Sequence, residues 1–348
     1  MPLSVNEMLQ DRAIRHAVFL IRLRQSEANS VLRLYNSAIP DMLRDVESRI
    51  SALSSPGSHA PSKQRLLRLG QLRDALDEQI RGLNLYTVLR SNLSSVALTE
   101  AEIQARILAS VVPGDLGISF RQPSVTLLRS MVTSRPFEGQ VLSQWVKANE
   151  SGAVTRAMKS INLGLTRGES VRDISTRVRT ALHTSRREAA TITRTAVNHV
   201  SAQAREITFS ENADVVKAVK WVSTLDDRTS LICASLDGQT FAADEGPRPP
   251  AHFNCRSTTV PVLASWEELG IPAKQLSAGT RASMNGQVPD TVTYPEWLKA
   301  QPAAVQNEVL GPGRAKLFRE GRPLDRFVDE QYRPLSLSEI RRREGLAA

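Results

Sequence analysis

The feature that most restricts the fold is a long apolar stripe near the N-terminus. Between residues 10 and 52, apolar or small residues recur at steps of three, four or seven positions, with Gln25 interrupting the series. This spacing places them on one helix face and predicts one long helix or a helix pair with a coiled-coil-like surface. Pro40 predicts a kink or a new helix start, because proline is tolerated in a first turn. We expect the stripe to form part of the hydrophobic core, with a partner-binding surface as the second interpretation.

Helical periodicity also dominates most of the chain that follows. A loop rich in Pro, Gly and Ser is predicted at residues 54–62. Further helical segments are predicted at residues 64–93, 99–109, 137–158, 171–182 and 185–209. The first part of the chain is therefore expected to be an antiparallel helical hairpin or bundle.

Strand signals are confined to a short central region. The run VVKAVKWV at residues 215–222 is β-branched and partly alternating, and it predicts the strongest strand. Second and third strands are predicted at residues 239–241 and 257–262, next to turn residues. A small sheet packed on the preceding helices follows. The predicted fold class is mostly α with a small α+β module.

These patterns predict three consecutive parts. Residues 1–112 form the helical hairpin or bundle, residues 113–275 the α+β domain, and residues 276–348 a linker and C-terminal helical segment. A short helix is expected at residues 266–270. Residues 277–292 are polar, contain glycine and lack periodicity, which is typical of a linker.

Composition narrows the class of protein. A hydrophobic content of 41% and a charged content of 23% are ordinary for a soluble globular chain of 348 residues. The 45 basic against 36 acidic residues favour non-specific DNA contact and a merely solvated basic surface about equally. No window approaches the ~18 apolar residues of a membrane span, and no signal peptide is expected at the N-terminus. Two cysteines argue against a disulfide-stapled secreted protein.

Both cysteines lie in one polar stretch, residues 221–261. Cys233 and Cys255 are 22 positions apart, and His252 stands three residues before the second. One interpretation is a zinc site with these three ligands and Asp226, Asp227 or water in the fourth position, since zinc accepts thiolate, imidazole and carboxylate. The other is a pair of inert buried thiols, or a disulfide in an oxidising compartment. Spacing alone leaves both open.

The other polar residues of this stretch have scaffold roles as their simplest explanation. Asp226 and Thr229 predict a turn followed by a capped helix start. Gly238 follows Asp237 in a tight-turn signal between extended segments. Arg228 and Arg256 are expected to bind carboxylates and hold these turns together.

Together these residues carry a resemblance. The stretch resembles the signature of the Mu-F-like phage head morphogenesis family, the minor capsid proteins of tailed bacteriophages. The resemblance extends upstream through Thr193-Arg194-Thr195 and Asn198 and covers about residues 140–262; residues 294–318 also resemble tails found on such proteins. The signature comprises Lys220-Trp221, Asp226-Asp227-Arg228-Thr229, Cys233, Leu236-Asp237-Gly238, Phe241 and Pro249-Pro250-x-His252-x-Asn254-Cys255-Arg256.

The resemblance implies a structural protein of the phage head rather than an enzyme. It implies several copies in the virion, placed in the head interior near the portal vertex after synthesis in the host cytoplasm. Expected partners are the portal protein and the major capsid or scaffolding proteins, with roles in head assembly and in genome packaging or delivery. Walker, GxGxxG, HExxH and GxSxG motifs are absent from the sequence, which agrees with a non-enzyme.

One enzymatic alternative stays open. A metal held by Cys233, His252 and Cys255 could activate water, with Asp226 or Asp227 as base. Such a site would make the chain a metal-dependent hydrolase that cleaves DNA or peptidoglycan.

Overall fold

The computed structural model describes residues 5–54, 62–110, 119–264 and 280–346. The predicted loop at residues 54–62 falls largely, and the predicted helix at 266–270 entirely, outside the described residues. The α-helices of the described ranges are α1 Val5–Ser54, α2 Ser62–Arg81, α3 Leu85–Ala109, α4 Val125–Ser134, α5 Leu142–Thr166, α6 Val171–Glu211, α7 Leu231–Leu236, α8 Tyr294–Lys299, α9 Ala303–Leu310, α10 Pro312–Arg319 and α11 Leu337–Arg343. A short 3-10 helix, Leu324–Phe327, precedes α11. None of the described helices is long and apolar enough to cross a membrane.

Helix α1 is continuous over 50 residues, with Pro40 inside it. The structure therefore favours one long helix over a helix pair. Most of the predicted stripe is buried, although Val18 is 38% exposed. The buried members of the stripe include Ala28, Tyr35, Ile39, Leu43, Val46 and Ile50.

Two helix boundaries differ from the prediction. The segment expected over residues 64–93 turns at Asn84, which has a φ of 51°, and α3 then runs without a break through residues 99–109. The two helices expected at 171–182 and 185–209 form the single 41-residue helix α6. Ser185 lies inside this helix, where its hydroxyl donates to the Ala181 carbonyl at 3.3 Å.

The chain divides into two compact units, each built from non-consecutive stretches. One unit contains residues 1–22, 96–128 and 198–348, and the other contains residues 23–95 and 129–197. In the second unit the Tyr35 hydroxyl donates to Asn149 Oδ1 at 2.6 Å, and Asn149 Nδ2 donates to the Ser185 carbonyl at 2.9 Å. The division into residues 1–112, 113–275 and 276–348 stays a prediction.

A three-stranded antiparallel sheet lies in the first unit. Strand β1, Val216–Val222, is central and pairs with β2, Thr240–Ala242, and β3, Thr258–Leu263. All three strands lie within about one residue of their predicted positions. The predicted packing of the sheet on helices is also confirmed, since strand residues share a buried cluster with residues of α1, α3 and α6. That cluster consists of Leu9, Ile107, Leu108, Phe209, Val215, Val216, Val219 and Leu263.

The segment predicted to be a linker contains a β-hairpin. Strand β4, Thr280–Ser283, pairs antiparallel with β5, Gly286–Pro289. The hairpin is tied to the loop after β1, because the Met284 amide donates to the Leu225 carbonyl at 2.9 Å. The linker prediction is therefore wrong for residues 280–289. Its polar sequence has no periodic pattern of apolar residues. The hairpin is held in place by a buried ion pair of Arg281, which is described below.

Helices follow the hairpin, as predicted for the C-terminal segment. Thr293 and Glu296 form a capping box at the start of α8, in which Glu296 Oε2 accepts from the Thr293 amide at 2.7 Å. A separate buried core joins these helices to α7 and to Leu225. Its members are Leu225, Ala234, Tyr294, Trp297, Leu298, Leu310, Ala315, Leu317, Phe318, Leu324, Phe327 and Ile340.

Candidate metal centre

The two cysteines and His252 are brought together by the elements on either side of the sheet. Cys233 lies on α7, whose first turn is capped by the Ser230 hydroxyl, which accepts from the Cys233 amide at 3.3 Å. His252 and Cys255 lie in the irregular segment between β2 and β3. Because β2 and β3 both pair with β1, this segment returns to the end of the sheet where α7 begins.

The three side chains form one compact donor cluster. The Cys233 and Cys255 sulfurs are 3.6 Å apart and not bonded to each other, and Cys233 Sγ lies 3.2 Å from His252 Nε2. The metal-ligating atoms of all three residues lie within 4.8 Å of one another. Both cysteines are buried and His252 is half-buried. Among the described residues this cluster does not include Asp227, which was predicted as a fourth ligand.

The backbone around the cluster fixes the tautomer of His252. Its Nδ1 lies 2.8 Å from the Phe253 carbonyl oxygen. A carbonyl can only accept, so Nδ1 carries the proton and the lone pair of the neutral ring is on Nε2. Nε2 faces Cys233 and also lies 2.8 Å from the Ser230 hydroxyl, which can donate to it.

The segment that carries Cys255 is held on both sides. Its amide donates to the His252 carbonyl at 3.1 Å, and Asn198 Nδ2 donates to the Cys255 carbonyl at 2.9 Å. Asn254, between the two candidate ligands, has a φ of 60°, a conformation that asparagine tolerates better than most residues. This hydrogen bond links Asn198, in the upstream part of the resemblance, to Cys255, 57 residues later.

The two thiols differ in acidity. The hydrogen bond between the two thiols lowers the pKa of the Cys255 thiol well below its ordinary value, against the effect of burial. The same hydrogen bond, together with burial, raises the pKa of Cys233. The two thiols therefore lose their protons as a coupled pair, with Cys255 the more acidic of the two.

Asp226 and Arg256 form the predicted clamp beside this cluster. The Arg256 guanidinium donates to both carboxylate oxygens of Asp226, with Nη2 2.7 Å from Oδ1. Burial raises the pKa of Asp226, but the hydrogen bond and charge of Arg256 outweigh it and the pKa is lowered overall. The Arg228 side chain is 77% exposed and makes a long ion pair with Asp226, with Nε 4.0 Å from Oδ2, rather than a bidentate clamp. Only its amide donates to Asp226 Oδ1, at 3.1 Å.

A second, fully buried ion pair escaped the sequence reasoning. Arg281 Nη1 lies 3.0 Å from Asp237 Oδ2, and the two side chains are 3% and 0% exposed. Asp237 also accepts from the amides of Ser223 at 2.6 Å and Tyr294 at 2.7 Å. No sequence signal marked Arg281, since it lies in the stretch that resembled a linker. The Asp-Gly turn is thus a junction between α7, β1 and the C-terminal helices.

Trp221 and Gly238 complete the structural part of the signature. Trp221 is fully buried, and its indole donates to the Ser223 hydroxyl at 2.9 Å. Gly238 has a φ of 84°, and its amide donates to the Trp221 carbonyl at 2.9 Å. A Cβ at Gly238 would lie 2.7 Å from Thr293 Cγ2. Glycine therefore meets two requirements here, a left-handed backbone and a close contact.

Comparison with known proteins locates the resemblance within the chain. Residues 157–260 match the family described as Phage Mu protein F like protein. The chain is also similar to a protein of Haemophilus influenzae (strain ATCC 51907 / DSM 11121 / KW20 / Rd) described as uncharacterized, with 24% identity over 157 residues. That alignment covers 43% of this chain and 35% of the relative, so the chain spans about a third of the relative's length. No solved structure matches. The resemblance predicted from the signature is confirmed over residues 157–260, which form a Mu-F-like region.

Proposed function

We propose that this chain is a minor head protein of a tailed bacteriophage with a structural role in head assembly. The observation that carries the proposal is the match of residues 157–260 to the Mu-F-like family, a family of phage head morphogenesis proteins. The finer proposals are a place in the head interior near the portal vertex, contact with the portal protein and the major capsid or scaffolding proteins, and a part in genome packaging or delivery.

The contacts of the signature residues support a structural role over the hydrolase alternative. Asp226 would have to serve as the base, yet its carboxylate is bound by Arg256 through both oxygens and its pKa is lowered. A general base needs a pKa near the working pH, and these contacts move Asp226 away from it. Asp227 is not part of the donor cluster. The signature residues are thus best understood as mutual supports of one fold.

Quantitative mass spectrometry of purified procapsids and mature virions tests this proposal. We expect the chain in a few copies to tens of copies per particle, and crosslinks from it to the portal protein. Absence from every assembly stage would refute the head-protein proposal. If the chain is present and crosslinks to capsid subunits throughout the shell but not to the portal protein, only the proposed location at the portal vertex is refuted.

A matched pair of variants can link incorporation to the fold of the Mu-F-like region. Asp237→Ala removes the buried carboxylate, whereas Asp244→Ala makes the same change at an exposed position in the segment after β2. Particles assembled with the first variant should lack the chain or contain much less of it, and particles with the second should match the parent. Equal incorporation of the two variants would show that incorporation into the head does not depend on the fold of this region.

We also propose non-specific contact with packaged DNA through exposed arginines. On the first helices Arg24 is buried, and the exposed arginines include Arg22, Arg33, Arg44, Arg65, Arg68 and Arg73. Arg44 and Arg73 are paired with Asp41 and Asp74, which limits the free positive charge. DNA affinity should therefore fall about tenfold or more between about 50 and 200 mM salt.

The salt dependence has its own controls. Replacing both Arg65 and Arg68, which are exposed, with glutamine should weaken binding and reduce the salt slope by about two phosphate contacts, while Arg228→Gln should leave it unchanged. Affinity that stays flat across this salt range, or no binding at low salt, would refute DNA contact.

A further inference from the structure

We propose that Cys233, His252 and Cys255 bind one Zn²⁺ ion, which fastens α7 to the segment before β3. The proposal does not depend on the role in the phage head. It rests on the distances between the donors, the orientation of the histidine ring and the access to the site.

Two of the three donor separations are close to the edges of a zinc tetrahedron, and the third lies within 4.8 Å. Bonds of about 2.3 Å to sulfur and about 2.0–2.1 Å to imidazole nitrogen place two sulfurs about 3.7 Å apart and a sulfur about 3.5 Å from the nitrogen. The observed separations are 3.6 Å between the sulfurs and 3.2 Å from Cys233 Sγ to His252 Nε2. An ion can therefore enter with shifts of a few tenths of an ångström. A disulfide would instead need the sulfurs to close to about 2.05 Å.

The histidine is oriented as a metal ligand requires. Nδ1 donates to the Phe253 carbonyl at 2.8 Å, which leaves the lone pair on Nε2, 3.2 Å from Cys233 Sγ. Such a hydrogen bond from the distal nitrogen to a carbonyl is the usual support of a zinc-bound imidazole. The soft thiolates and the tetrahedral arrangement favour zinc over magnesium or calcium, which prefer oxygen ligands.

Access and the fourth position are both provided on the side of Ser230. Ser230 and His252 are half-buried, whereas the two cysteines are buried, so the ion reaches the sulfurs past the histidine. The described residues supply three ligands, and we assign the fourth position to water. The Ser230 hydroxyl, 2.8 Å from Nε2, gives up that contact on metal binding and can then accept a hydrogen bond from the bound water.

Metal content and cobalt substitution of the full chain test the site. Protein purified under reducing conditions, without added metal or chelator, should contain one zinc ion per chain by elemental analysis. After removal of zinc, added Co²⁺ should give the thiolate-to-cobalt charge-transfer band and the intense visible bands of tetrahedral cobalt. Chelation should also lower the melting temperature, and zinc should restore it.

Variants separate the loss of a ligand from the loss of fold. Cys233→Ser, Cys255→Ser and His252→Asn should each abolish stoichiometric zinc and the cobalt spectrum. His183→Asn changes a histidine in the other unit, so it should keep both the zinc and the cobalt spectrum. If a ligand variant fails to fold, the cobalt spectrum of the parent protein still decides.

Three results would overturn the proposal. The first is a reduced parent chain that binds neither zinc nor cobalt. The second is metal retained in full by all three ligand variants. The third is an intact mass two hydrogens below the reduced value with no reactive thiols after denaturation, which would show that Cys233 and Cys255 are bonded to each other.

Discussion

Removal of the Asp237 carboxylate is the perturbation that most directly tests how the Mu-F-like region is held together. This side chain is 0% exposed and pairs with Arg281, which is 3% exposed. It accepts from two guanidinium nitrogens at 3.0 and 3.1 Å and from the amides of Ser223 and Tyr294. Asp237→Ala therefore leaves a buried guanidinium without its carboxylate and two amides without their acceptor.

The expected cost follows from the burial of the pair. Breaking a buried ion pair by removal of one partner destabilises by about 3–5 kcal/mol, because the remaining charge stays uncompensated. The two lost amide hydrogen bonds are part of the same network and are not added separately. Since a folded domain is stable by only about 5–15 kcal/mol, this loss is a large fraction of the total.

Urea unfolding of the full chain, followed by tryptophan fluorescence, measures this cost. Trp221 and Trp297 are both buried in the unit that contains Asp237, so their environment reports on it. We expect a lower midpoint for Asp237→Ala with an unchanged m-value. Asp244→Ala, the same change at an exposed site, should stay within about 0.5 kcal/mol of the parent.

The coupling of the pair gives a sharper test. Asp237→Leu combined with Arg281→Met replaces the ion pair by apolar side chains, and such replacements are often neutral or stabilising. The double variant should therefore be more stable than Asp237→Ala. Two results together would refute the role assigned to this pair. They are a loss of stability below about 1 kcal/mol in Asp237→Ala and the absence of coupling energy in the double-mutant cycle of Asp237→Leu and Arg281→Met.

Two further changes probe other parts of the same unit. Burial raises the pKa of Glu100, but the contacts with Arg205 and His16 outweigh burial and hold this pKa below 4.5. The ionised carboxylate therefore stabilises the fold above pH 4.5. This stabilisation is lost as the pH falls through the lowered pKa. Acid unfolding curves should show this loss below pH 4.5 in the parent and not in Glu100→Gln, and parallel curves would contradict it. In Gly238→Ala the new Cβ lies on a left-handed backbone and 2.7 Å from Thr293 Cγ2. The matched control is Gly168→Ala, where φ is 66° and nothing lies within 4 Å of the new Cβ. The melting temperature should therefore fall further in Gly238→Ala than in Gly168→Ala. The backbone conformation alone costs about 1–2 kcal/mol, and equal shifts in the two variants would show that the contact with Thr293 relaxes freely.

The sequence alone determined most of the secondary structure. The apolar period of α1 and the β-branched run of β1 are local signals, because side chains three or four apart share a helix face and those two apart share a strand face. The Cys233, His252 and Cys255 cluster was also visible, since its members stand within 23 residues of one another in a stretch with turn residues between them. The resemblance to the Mu-F-like family rested on the same local pattern.

Continuity of the helices was decided by tertiary contacts. The sequence around Ser185 contains polar residues that favour a helix end, yet α6 continues through them, with the buried Ser185 hydroxyl accepting from Arg156 on α5 at 2.8 Å. Pro40 likewise permits either a break or a continuous helix, and only packing of the apolar stripe selected the second.

Long-range polar partners were beyond the reach of the sequence. Glu100 is bound by Arg205, 105 residues away, and Asp237 by Arg281, 44 residues away. Neither arginine differs in its local sequence from the many exposed ones, because an ion pair depends on where two distant segments meet and not on the residues beside either. The hairpin β4–β5 followed from the same cause, since its polar sequence gives no periodic signal and its place in the fold is set by the buried partner of Arg281. Local periodicity fixes which elements form, whereas burial of complementary charges from distant segments decides how these elements are joined.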